Sequence, residues 1–275
     1  MIADRGAVLE ELLRIAGEAA AIVLRGYAGE IRAEYKAEND PVTAVDREAN
    51  ALICDRLGRA FPGVPVVAEE SDPATFSARD TAPECFFVDP LDGTREFIAR
   101  NGEFAVMIGL AVAGRAALGV VHAPARGRIF AGGEGIRAFE QAPDGSRRRL
   151  APSRVTSPSE VRALVSRSRA SEETFALLAR LGVTVVEKMG GAGVKAMAVA
   201  SGEADVYLHL GHAGKLWDAC APEAIVRAAG ASYGDALGRP VDYARGPLDL
   251  AAGALVTATR ELSEAFVAAA REPLE

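Results

Sequence analysis

Aromatic side chains make up only 6% of these 275 residues. A core must therefore be built from Ala, Val, Leu and Gly on closely packed helices and strands, as in an α/β or α+β protein. Cysteine is scarcer still: Cys54, Cys85 and Cys220 are an odd, widely spaced set with no C-x-x-C pair. They indicate neither a disulfide framework nor a zinc site and read as small buried hydrophobes in a reducing compartment. There is no basic excess, since 38 acids outnumber 31 bases for a formal charge of −7, and a nucleic-acid polymer is not an expected partner. A small phosphorylated substrate stays open, because metal ions reverse the local charge of a site. No uninterrupted apolar stretch is long enough to cross a bilayer, and Met1-Ile-Ala-Asp-Arg-Gly6 has no basic segment leading into an apolar run. The expectation is a soluble, cytoplasmic protein with no membrane partner. His122, His209 and His212 show no metal-ligand or His-to-acid spacing and read as structural or solvated.

What is present is patterned. Leu9, Leu12, Ile15, Ala16, Ala19 and Val23 share one face of an opening helix over 8–27. After a turn at Glu38-Asn39-Asp40-Pro41, Thr43 and Asp46 have capping-box spacing before a second helix carrying Ala49, Leu52, Ile53 and Leu57. Val64–Ala68 and Cys85–Val88 read as strands that end directly in acids, Glu69-Glu70 and Asp89. A short helix over Thr94–Arg100 precedes an antiparallel meander: 104–113, 115–122, 128–131 and 136–140, with Arg147–Arg149 on a solvated hairpin face. From about 151 the rhythm becomes α/β: strands 163–166, 183–187, 204–208 and 254–257 alternate with helices 171–181, 194–201, 219–229 and 259–271. The Pro- and Ser-rich stretch Ala151–Pro158 is the expected boundary between domains 1–150 and 151–275.

The chemistry lies in acids placed at strand ends or helix starts. Glu69, Glu70, Asp89, Asp92 and Asp218 suit a hard cation such as Mg²⁺. If they converge, their charges raise one another's pKa values unless cations lie among them. Carboxylate-held Mg²⁺ cleaves phosphate esters by polarising phosphoryl oxygens and activating water, without a covalent nucleophile. Gly93 and Thr94 follow at a helix start, where free N–H groups attract an anion.

Asp89-Pro-Leu-Asp-Gly-Thr94, the Glu69-Glu70 pair and Trp217-Asp218 together resemble the inositol monophosphatase superfamily of lithium-sensitive, metal-dependent phosphatases, over nearly the whole chain. Within it, Asp89–Phe97, Asn101–Phe104, Gly190–Lys195 and Trp217–Ala224 are most similar to the 3′(2′),5′-bisphosphate nucleotidase branch, which recycles 3′-phosphoadenosine 5′-phosphate to AMP. The resemblance implies a layered αβαβα sandwich (the sugar-phosphatase fold) and two or three Mg²⁺ ions held by Glu69, Asp89, the Leu91 carbonyl, Asp92 and Asp218. It also implies an attacking water held by Asp46 and Thr94, with Glu69 counted among the catalytic groups and the scissile phosphate on Gly93 and Thr94. Ser166, Arg169, Gly191 and Lys195 would contact substrate, with Arg169 standing where the branch has His. A permanent cation there would stack on a base or pair with a phosphate. Sulfate assimilation, 3′-phosphoadenosine 5′-phosphosulfate as a further substrate, and a homodimer are further expectations of this reading.

Each signal has a blander alternative. Asp89 and Asp92 could form only an Asx turn, Asp46 and Asp218 only helix caps, and Gly190-Gly-Ala-Gly193 only close helix packing. The rival functions are an inositol monophosphatase or sugar bisphosphatase on the same acids, and a non-catalytic protein that binds a phosphorylated ligand.

Overall fold

In a computed structural model, which describes residues 4–37 and 40–272, the chain folds into five layers. The first half runs α1 (Arg5–Ala28), β1 (Ala33–Ala37), β2 (Asp40–Thr43), α2 (Ala44–Ala60), β3 (Val66–Ala68), β4 (Glu84–Asp92), α3 (Thr94–Ile98), β5 (Ala105–Val112), β6 (Arg115–Ala123), β7 (Arg128–Gly133), β8 (Ile136–Gln141) and β9 (Arg147–Arg149). There follow β10 (Arg162–Ser166), α4 (Glu172–Arg180), β11 (Val185–Met189), α5 (Ala192–Ala200), β12 (Val206–His209), α6 (Leu216–Ala229), β13 (Ser232–Gly234), β14 (Ala254–Thr257) and α7 (Arg260–Arg271).

Strands β3 to β9 form a seven-stranded sheet in sequence order, parallel at β3–β4 and antiparallel from β4 onward, so the expected meander is present. The second sheet runs β11-β10-β12-β14-β13. On the outer face of the large sheet lie α1 and α2, burying Leu9, Leu12, Ile15 and Ile53 against Phe86, Val88 and Val120. Helices α5 and α6 fill the space between the sheets, where Val194, Met197 and Ile225 meet Met107, Val121 and Phe130. On the far side of the small sheet, α4 and α7 contribute Leu177, Leu178, Leu262 and Phe266. This is the αβαβα sandwich.

Small residues set its spacing. Gly109 and Gly119 face each other across β5 and β6, and a β-carbon on Gly119 would lie 2.2 Å from the Ala221 carbonyl oxygen, one on Gly109 2.6 Å from the Ala221 nitrogen. Helix α6 therefore touches the sheet backbone to backbone, which any side chain at either position would prevent.

Local departures from the sequence reading have identifiable causes. The capping box forms, with Asp46 Oδ2 accepting from the Thr43 N–H at 2.9 Å. The turn read at 38–41 lies outside the described residues at Glu38 and Asn39; Asp40-Pro41 begins β2, and Pro41 is accommodated because the β1–β2 ribbon has two free edges. The segment Met1–Ala3 also lies outside the described residues. Strand β3 begins at Val66 because Pro65 has no N–H to pair. The strand expected at 183–187 is shifted to 185–189 and the helix after it starts at 192 rather than 194, at the glycine turn. Helix α6 starts at Leu216 rather than 219, leaving Pro222 inside it and removing the i→i−4 bond to the Asp218 carbonyl. Among the described residues, no helix is long and apolar enough to cross a membrane.

Candidate active site

Strand β4 is buried throughout, and its register against β5 breaks between Asp89 and Asp92. Pro90 and Leu91 form the irregularity, with the Leu91 N–H donating to Asp89 Oδ1 at 3.0 Å. The Asx turn is thus real, yet Asp89, Leu91, Asp92, Gly93 and Thr94 all line one cavity of about 690 Å³. Gly93 has φ +87°, and a β-carbon there would lie 2.8 Å from the Glu103 carbonyl oxygen, so glycine is required.

Asp92 spans the layers. Its Oδ1 accepts from the Ala192 N–H at 2.9 Å and its Oδ2 from the Gly193 N–H at 2.7 Å, capping α5, whose own N-cap, Gly191, has no side chain. Asp218 accepts from the Lys215 N–H at 2.7 Å in the first turn of α6. Asp89, Asp92 and Asp218 each offer an oxygen, and these oxygens lie within 4.8 Å of one another. Burial, and then the charges of Glu69, Asp218 and Asp92, raise the Asp89 pKa well above the usual range; burial and Asp92 push Asp218 up to about 6. Carboxylates held this close at neutral pH need positive charge among them, and an all-oxygen donor set suits a hard divalent cation. Glu69 lines the same cavity, its backbone N–H bonded to the Val88 carbonyl at 3.1 Å beside Asp89.

Asp46 does not line the cavity itself but reaches it through Thr94. The Thr94 hydroxyl lies 3.0 Å from Asp46 Oδ1 and 3.2 Å from the Leu91 carbonyl, two acceptors for one proton. Asp46 Oδ2 accepts from the Thr43 hydroxyl at 2.5 Å as well as from its N–H. Burial raises the Asp46 pKa, against the lowering effect of these bonds.

The facing wall comes from the second half: Ser166, Arg169, Gly191, Lys195, Tyr207, His209 and His212. Lys195 is 3% exposed; its ammonium donates to the Gly191 carbonyl at 2.6 Å and sits 4.9 Å from the centre of the Tyr207 ring. Burial lowers its pKa to about 8, with Asp92 pulling upward and Arg169 downward. The glycines of this wall do pack closely, since β-carbons at 190, 191 and 193 would meet Glu96, the Glu103 carbonyl and Met107. A clasp holds the wall to the first half: Glu103 accepts from Arg167 Nη2 at 2.8 Å and from the Gly190 N–H at 2.6 Å. Against the cost of burial, these bonds keep Glu103 below its ordinary pKa.

Two histidines fit the sequence reading, His209 buried and bonded to the His212 carbonyl and His212 exposed, but they also belong to the cavity. His209 and His212 line the cavity, and His212 Nε2 meets Asp249 Oδ1 at 3.0 Å across a loop that no sequence spacing reveals. The available signal was position: His209 ends β12, as Asp89 lies toward the end of β4. His122 is structural as read, its pKa lowered to about 4 by burial. Tyr207, Lys215 and Trp217 are further lining residues that went unassigned, apart from the Trp217-Asp218 motif.

The sequence profile of the inositol monophosphatase family matches residues 4–275. The chain is 37% identical over 238 residues to the 3′(2′),5′-bisphosphate nucleotidase CysQ of Escherichia coli K12, covering 86% of this chain and 94% of that protein. Among solved structures, it is similar to a CysQ from Bacteroides thetaiotaomicron at 28% identity and TM-score 0.78, covering 93% of this chain and 98% of the other. It is similar in fold to the extragenic suppressor protein SuhB of Bartonella henselae at 23% identity and TM-score 0.81, covering 97% and 99%.

Proposed function

We propose that this chain, which belongs to the inositol monophosphatase family, is a Mg²⁺-dependent phosphatase that removes the 3′-phosphate of 3′-phosphoadenosine 5′-phosphate. The observation that carries the reading is the convergence of Asp89, Asp92 and Asp218 in one cavity with Thr94, whose hydroxyl is bonded to Asp46 behind it. The choice of a nucleotide is supported by similarity to the 3′(2′),5′-bisphosphate nucleotidase of Escherichia coli.

Glu69, Asp89, the Leu91 carbonyl, Asp92 and Asp218 would hold two or three Mg²⁺ ions, which supply positive charge to the phosphoryl oxygens and acidity to water. Were the Leu91 carbonyl taken up as a metal ligand, Asp46 Oδ1 would be the remaining acceptor for the Thr94 hydroxyl proton. The Thr94 oxygen then presents a lone pair to one proton of the attacking water, orienting the water oxygen toward phosphorus. As the O–P bond forms and the P–O3′ bond breaks, that proton passes through Thr94 to Asp46, whose raised pKa fits a proton acceptor, and the departing O3′ takes a proton from solvent water to leave as a hydroxyl. Backbone N–H groups at Gly93 and Thr94 orient the scissile phosphate, while Ser166, Arg169, Gly191 and Lys195 face the rest of the substrate.

Metal removal tests the mechanism. Chelator is expected to abolish phosphate release, Mg²⁺ to restore it, and Li⁺ to inhibit it. Asp89→Asn should lose turnover at every Mg²⁺ concentration. Full activity in excess chelator would remove the mechanism, and ligand binding without turnover in wild type would favour a non-catalytic binding protein.

A further inference from the structure

Two arginines lie two residues apart in the turn after β10 and meet opposite fates. The Arg167 guanidinium is neutralised by Glu103, with both carboxylate oxygens at 2.8 Å from Nη2. Arg169 is fixed through its backbone N–H, which donates to Ser166 Oγ at 3.2 Å, and it lines the cavity. Among the described residues, its guanidinium makes no ion pair and donates to no protein acceptor.

Its surroundings accentuate this charge. Arg169 is near enough to Lys195 and His209 to lower the pKa of both, so the wall facing the carboxylates holds two cations close together. The Lys195 ammonium already has the Gly191 carbonyl and the Tyr207 ring, whereas the Arg169 fork has no such partner. The Asp218 carboxylate feels this charge but is not bonded to it, and a guanidinium whose five donors are unbonded suits a phosphate, which it binds through two parallel bonds. The cavity volume falls in the range of sites that enclose a ligand spanning both walls.

We infer that Arg169 is a specificity-determining residue that holds the second, non-scissile phosphate of a bisphosphorylated substrate while the first phosphate is cleaved at the Asp89–Asp92–Asp218 wall. This rests on the phosphatase reading of the cavity and selects bisphosphates over monophosphates. The recognition is of the phosphate, so it applies to whichever ring carries the two groups.

The test compares kcat/KM for adenosine 3′,5′-bisphosphate with that for adenosine 3′-phosphate, and inositol 1,4-bisphosphate with inositol 1-phosphate, in wild type, Arg169→Ala and Arg169→Lys. A charge-assisted bond predicts that the bis-to-mono ratio falls on the order of 10- to 100-fold in Arg169→Ala. Arg169→Lys, which keeps the charge but not the fork, should fall between. A ratio unchanged in Arg169→Ala overturns the inference, as does an equal loss on both substrates, which would mark base stacking or a structural role. Preference for inositol substrates with an Arg169-dependent ratio would sink the nucleotide reading and leave this inference standing. Nucleotide preference with an Arg169-independent ratio would do the reverse.

Discussion

Gly119→Ala links fold to chemistry most sharply, because it adds one methyl group far from any substrate. The new β-carbon would lie 2.2 Å from the Ala221 carbonyl oxygen and 2.8 Å from the Ala221 α-carbon, where ordinary contact begins at 3.4 Å. Both obstacles are backbone, so rotamer changes cannot relieve them; α6 must retreat from β6 by about 1 Å, or the strand must bend as far. Overpacking of this kind costs about 1–3 kcal/mol, a fall of several degrees in Tm for a chain of this size. Asp218 lies one turn before Ala221 on α6 and moves with it, away from Asp89 and Asp92. A displacement of about 1 Å at a reacting centre lowers kcat on the order of 100-fold. Calorimetry and phosphate release measured on one preparation give both numbers. Gly58→Ala is the control: it sits on the exposed face of α2 with nothing within 4 Å of the added carbon, and should stabilise by about 0.5–1 kcal/mol with full activity. If Gly119→Ala keeps wild-type Tm and turnover, the backbone contact does not position Asp218.

Other consequences are equally open to measurement. Asp46→Asn should lower kcat about 10²- to 10⁴-fold with a small change in KM, and Thr94→Ser should retain far more activity than Thr94→Ala, as steady-state kinetics would show. In metal-free protein, Asp218→Asn should be the more stable form at pH 7.5. An acid whose folded pKa is raised supports the fold only while protonated; that support is complete below about pH 3.8 and gone above about pH 6, so the advantage should vanish near pH 4 in denaturant titrations and narrow when Mg²⁺ is added. His122 acts oppositely. With its folded pKa near 4 against 6.5 unfolded, it contributes stability above pH 6.5 that is lost as pH falls toward 4, on the order of 3 kcal/mol, and His122→Phe should flatten that limb of the stability curve.

The parts of this molecule that could be read from sequence are those whose physics is local. Thr43 and Asp46 satisfy the first N–H groups of α2 within one turn, and the capping box appeared where the spacing put it. Asp89 and Asp92 stood out because a buried apolar strand ran straight into them. What escaped depends on distant partners. The tie from Asp92 to α5 crosses a hundred residues, Glu103 and Gly190 meet through the layering of two sheets, and His212 finds Asp249 through a loop. The β1–β2 ribbon escaped for another reason: Pro41 argues against a strand wherever a strand has two neighbours, and only the topology shows that this one does not. Asp46 lies between the two cases. Its cap was legible, while its reach to Thr94 needed α2 to be set against the end of β4.

The most direct measurement is phosphate release by the purified protein from 3′-phosphoadenosine 5′-phosphate and from inositol 1-phosphate, side by side at equal Mg²⁺ and again in excess chelator. The expected result is rapid, Mg²⁺-dependent release from the nucleotide with AMP as product, a much lower kcat/KM on the inositol ester, and none from either in chelator. Efficient turnover of inositol 1-phosphate with none of the nucleotide would contradict the proposed substrate, and undiminished release in chelator would contradict the carboxylate site itself.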